Sequence, residues 1–177
     1  FTSFAADTID FEAIGDTLAL DATTTIDLNG SDLNFNGGLL MLDDSAQNVG
    51  IGTATPATKL EVNGTTLATT MLTKTVTNNT TAATITVDWN VGNKQKVTLN
   101  QAGHTVNFTN PTGGIGSFSL IIYQDGTGSR TVTTWDTDIK WPSGTAPTLS
   151  STASALDVIT CIYDGTNYLC QAGLDFQ

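Results

Sequence analysis

The sequence predicts an all-β chain, with a repetitive β shaft over residues 1–64, a junction over 65–80 and a jelly-roll-like β-sandwich over 81–177. Three observations predict it. Short apolar pairs recur along the first third with turn residues between them. Charged residues make up only 13% of the chain, and Thr, Asn, Gly and Ser take their place; these residues suit pleated surfaces and tight corners. From residue 82 onward, alternating segments appear at roughly ten-residue spacing with turn signals between them.

The shaft is read from pairs one residue apart: Ile9/Phe11, Leu18/Leu20, Ile26/Leu28, Leu33/Phe35 and Leu40/Leu42. Gly15-Asp16, Asn29-Gly30 and Gly37-Gly38 fall between them. Each unit alternates like a very short strand and places two apolar side chains on one face. A strand this short forms no independent sheet. Its face is covered when units stack on one another or when three chains wind together, and an ordinary meander inside a globular domain is the alternative.

The next segment, Asn48 to Gly64, sets Val49 and Ile51 against Gly50 and Gly52. Glycines in a strand mark close backbone approach or positive φ. Pro56 interrupts pairing, and Lys59 to Asn63 forms a strand that ends in the Asn63-Gly64 turn. The Gly-x-Gly neither follows a long buried strand nor opens a helix, so it is no dinucleotide fingerprint. Gly50-Ile51-Gly52-Thr53, Pro56, Lys59-Leu60-Glu61-Val62 and Gly64 together resemble a motif of bacteriophage tail fibres and other trimeric bacterial surface fibres. That resemblance implies an intertwined trimeric shaft.

Leu67, Met71, Leu72 and Val76 mark the junction, either as a short helical turn or as an apolar seam along an axis. Strands follow at Thr84–Trp89, Lys96–Leu99, His104–Phe108, Ser117–Tyr123 and Arg130–Trp135, and a closing hairpin ends the chain. Ser117–Tyr123 is the most apolar and is expected at the centre. The segments from Gln124, Lys140 and Asp157 resemble a small β-domain of phage tail and virion fibres over about residues 84–177. The combination is also similar to the modular trimeric adhesins of predatory bacteria such as Bdellovibrio. The cysteines depart from that pattern.

The closing hairpin turns within Asp164–Asn167. A turn centred between Gly165 and Thr166 pairs Tyr163 with Tyr168 and Cys161 with Cys170. Opposed cysteines can bridge in the closer, non-hydrogen-bonded type of pair, and two buried free thiols are the alternative. His104 is the only histidine, and Asp136 and Asp138 lack the Gly and Glu of a helix–loop calcium site. No metal or cofactor is expected, and no nucleophile elbow, triad or phosphate loop gives an enzyme a foothold. Trp135, Asp136, Asp138, Trp141, Tyr163 and Tyr168 are the candidate ligand-binding residues, because aromatic rings beside carboxylates and amides suit a polar ligand. Core packing is the competing role for the tryptophans.

The net charge of −11 falls mostly on residues 1–64, which hold ten acids and one base. An acidic chain repels phosphate backbones, so nucleic acid is not an expected partner. The longest apolar run, Leu39 to Leu42, is too short to insert into a membrane. The expected partners are two further copies of the chain, as a homotrimer, and a cell-surface polysaccharide or glycoprotein bound outside the cell. An inert fibre segment and a fibre-borne depolymerase are the alternatives.

Overall fold

The computed structural model describes residues 30–74, 76–78 and 82–176. The apolar pairs at Ile9/Phe11, Leu18/Leu20 and Ile26/Leu28 lie outside them. The chain divides into two compact units, Phe1–Leu67 and Ala68–Gln177. Among the described residues the regular structure is β, with two single 3-10 turns and no α-helix.

The first unit holds one sheet. β1 (Leu33–Phe35), β2 (Leu40–Asp43) and β3 (Asn48–Ile51) are antiparallel neighbours, and β4 (Leu60–Val62) adds parallel to β3. The register aligns two apolar rows on one face, Leu33–Leu42–Val49–Leu60 and Phe35–Leu40–Ile51–Val62. The opposite face carries Met41, Gly50 and Glu61, and here Met41 is buried. Gly50 is required by close approach, since a Cβ there would lie 2.5 Å from the Thr53 carbonyl oxygen. Gly52 is required by its φ of +73°. Asn48 Nδ2 donates to the Pro56 carbonyl at 2.8 Å, and Lys59 Nζ to the Gln47 carbonyl at 3.1 Å. These bonds close the loop that carries β4 back beside β3. Leu67, Met71 and Leu72 are exposed outside any helix, so the helical alternative for the junction does not form.

The second unit departs from the expected hairpin succession. β5 (Val76–Asn78), β7 (Lys94–Leu99) and β9 (Gly116–Gln124) are parallel neighbours in one sheet, and β6 (Thr84–Asp88), β8 (His104–Thr109) and β10 (Val132–Trp135) are parallel neighbours in a second. From β5 to β11 the chain thus alternates between sheets at every strand, as a solenoid does, in place of antiparallel jelly-roll hairpins. A parallel neighbour needs a crossover of about a dozen residues or more, and the intervening strand in the other sheet supplies it. The winding reaches β11 (Ile139–Lys140), and the hairpin of β12 (Leu156–Tyr163) and β13 (Tyr168–Phe176) fills the gap. The larger sheet runs β11-β13-β12-β9-β7-β5, which places the apolar β9 in its interior.

Both sheets turn their inward rows to one core. Ile85 and Val87 of β6, Val106 and Phe108 of β8, Val97 and Leu99 of β7, Leu120 and Ile122 of β9, and Ile159 of β12 all belong to it. Two buried glutamines fix the passages between sheets. Gln95 Nε2 donates to the Asp88 and Gly92 carbonyls at 2.6 and 2.9 Å. The Gln124 amide accepts from the Arg130 N–H at 2.8 Å and donates to the Arg130 carbonyl at 3.0 Å. Each holds a bend of backbone that no ladder pairs.

Candidate functional site

The β12–β13 hairpin has the register that the turn centre predicts, with Tyr163 opposite Tyr168 and Cys161 opposite Cys170. Asp164 builds the turn, its Oδ1 accepting from the N–H groups of Thr166 and Asn167 at 2.9 and 2.7 Å. These bonds, Asn167's first, hold its carboxyl below the usual aspartate range. The cysteines are joined by a disulfide with Cα atoms 4.1 Å apart, the close spacing of a non-hydrogen-bonded pair.

All four of these side chains face inward. Tyr168 has no exposed surface, and Tyr163 and both cysteines are buried with it. The Tyr168 ring lies 5.0 Å from Phe108, 4.6 Å from Tyr163 and 6.2 Å from Phe118, and its hydroxyl donates to Asn110 Oδ1 at 2.9 Å. Burial pushes its phenol well above the ordinary tyrosine value, with Tyr163, Asp136 and Asp138 adding in the same direction. Neither tyrosine ring is open to a solute.

The Asp136 carboxylate is engaged with backbone. Asp136 accepts from the Phe108 N–H through Oδ2 at 2.9 Å and from the Asp138 N–H through Oδ1 at 3.0 Å. The Asp138 carbonyl accepts from Tyr168 N–H at 2.9 Å. These bonds tie the loop between β10 and β11 to both sheets. Trp135 and Trp141 meet edge to face, with centroids 5.2 Å apart, and both pack partly against the core. His104 is fully buried at the start of β8, where its Nε2 accepts from the Asn100 N–H at 3.3 Å. Among the described residues, no group of three or more His, Cys, Asp or Glu side chains lies together as a metal site would.

Of the six candidate residues, Trp141 lines the cleft described next. An open cleft of about 650 Å³ lies on the outward face of the larger sheet. Its floor comes from alternate positions of three strands: Ser117 and Ser119 of β9, Thr160 and Ile162 of β12, and Leu169 and Gln171 of β13. Lys140, Trp141 and Pro142 form one wall. Ile162 and Leu169 are 59% and 52% exposed, so the floor offers apolar surface between hydroxyls and an amide. One indole over apolar patches, with hydroxyl and amide groups around it, suits a polar ligand with apolar faces. The signal for these residues was present in the sequence as the other half of each strand's alternation.

Residues 93–168, from β7 to the start of β13, match a family described as "Putative phage tail fibre C-terminal domain". No curated protein and no solved structure matches the chain. The match supports a structural fibre role for a chain like a phage tail fibre. No helix among the described residues is long and apolar enough to cross a membrane.

Proposed function

We propose that this chain is the shaft end and adhesive tip of an extracellular homotrimeric fibre, on a virion tail or a bacterial surface, and that the cleft beside Trp141 binds a cell-surface glycan or glycoprotein without turnover. The match of residues 93–168 to a tail-fibre C-terminal domain carries the fibre reading. The cleft supports binding, because it offers a half-buried indole among hydroxyl and amide groups while the carboxylate of Asp136 is held by backbone. The homotrimer is supported by the first unit. Its eight-residue apolar face leaves Phe35 48%, Ile51 42% and Leu60 60% exposed, and further copies would cover it. Three clefts on one particle raise apparent affinity through avidity.

A glycan array probed with the whole chain tests this. Trp141→Ala should weaken binding by about tenfold or more, as loss of a central aromatic anchor does. Gln171→Ala, on an exposed strand position with no core contact at stake, should weaken it in the same direction. Binding that both variants retain would place the receptor site elsewhere. A wild-type chain that binds no glycan would leave an inert fibre segment.

A further inference from the structure

We infer that the cleft selects an acidic saccharide, with Lys140 and Lys94 gripping its anionic groups at the two ends. The inference rests on the reading of the cleft as a glycan site. The chain carries six cationic residues against seventeen acids, and three of the six project from one side of one sheet. The register shows how. Lys140 continues the row through Ser117, Ile162 and Leu169, while Lys94 begins the row through Ser119, Thr160 and Gln171. Lys96 begins the next row, through Ile121, Val158 and Gly173. No position in these three rows is a carboxylate.

Three of the seven acids of this unit are engaged elsewhere. Asp157, on β12, points inward, buried, and accepts from the Ser150 hydroxyl and N–H. Asp125 is taken by Arg130 at 2.8 Å. Asp136 is engaged with the backbone of β8. Lys94, Lys96 and Lys140 form no ion pair among the described residues. A chain that repels anions at long range therefore presents one locally cationic face, and within a Debye length of about 8–10 Å the local charges decide.

Distance gives the ligand its form. From β11 to β7 there are four strand steps, or about 19 Å at the usual interstrand spacing. Lys140, next to Trp141, and Lys94 thus bracket Ser119, Thr160 and Gln171. A compact anion spans only one end of that line. An oligosaccharide laid across the strands, with acid groups on separated units, meets both lysines and places a ring against the indole.

The test is an array carrying neutral, uronate-, sialate- and phosphate-bearing saccharides and a single-stranded oligonucleotide, probed with wild type and with Lys94→Gln/Lys140→Gln. Both lysines are exposed, so the double variant is expected to fold, and its mass in solution is measured alongside. The expected result is binding confined to acidic saccharides, weakened as salt rises and reduced about tenfold in the variant, the size of two modest ion pairs. Binding to neutral saccharides that the variant retains would overturn the acidic preference and leave the glycan site standing. Stronger binding to the oligonucleotide, or no saccharide bound at all, would overturn both. A change of oligomeric mass in the variant would mean that this face lies between copies and would overturn the assignment.

Discussion

Tyr168 joins three packed rings to one hydroxyl–amide hydrogen bond in a place with no solvent, and its titration therefore belongs to stability. Its phenol is raised in the folded state, so the neutral form contributes stability in full below about pH 10, the unfolded value, and that contribution is lost as pH rises above it. Tyr168→Phe should cost about 1 kcal/mol at neutral pH, for the lost hydrogen bond. It should also flatten the fall in denaturant midpoint above pH 10. Parallel alkaline profiles for the two proteins would show that Tyr168 does not carry the loss. The pairing of this tyrosine was legible from the turn centre alone, but its depth was not. Alternation shows that Cys161, Tyr163, Tyr168 and Cys170 share a face, yet it does not say which face meets the core. The chemistry of the tyrosines suits a ligand, but both rings are buried. Their strand neighbours Ile162, Leu169 and Gln171, one position away, line the cleft instead.

At the scale of elements, the strands of the second unit were legible and their partners were not. Thr84–Asp88 and Lys94–Leu99 bury alternate side chains in the same way whether they form a hairpin or lie in facing sheets. Gln95 is where the two topologies part. In a simple hairpin a glutamine on the buried side of a strand would be a misplaced polar group. Here, fully buried, it donates to two carbonyls of the arch from Asp88 to Gly92 and lets the chain cross from one sheet to the other. Gln95→Leu keeps the volume and removes both donors. It should lower stability by about 2–3 kcal/mol, because the carbonyls lose their partner, and a urea titration of the whole chain measures it. An unchanged midpoint would mean that the arch stands without the amide. The glycines of the first unit were more legible, because Gly50 and Gly52 answer to constraints that other residues meet badly, a close approach and a positive φ.

For the whole molecule, the deciding feature is a face that the single chain leaves open. The apolar pairs Leu33/Phe35 and Leu40/Leu42 align in register with Val49/Ile51 and Leu60/Val62, so that eight apolar side chains share one side of a four-stranded sheet. Among the described residues, the large side chain buried on the opposite side is Met41. An ordinary sheet domain would bury the richer face; here several of its members stay about half exposed. If three copies close over this face, Ile51→Asp sets three carboxylates in an apolar seam, where an unpaired charge costs several kcal/mol. In one isolated chain the same change replaces a side chain already 42% exposed and costs little. Light scattering separates the two cases. Wild type should weigh three times the 18.5 kDa chain, with or without reductant, because its disulfide lies within one chain. Ile51→Asp should fall to the mass of a single chain while the β12–β13 hairpin keeps its bridge. A variant that holds three chains would place the seam elsewhere, and a wild type of single-chain mass would sink the fibre reading, since strands of three and four residues do not cover such a face on their own.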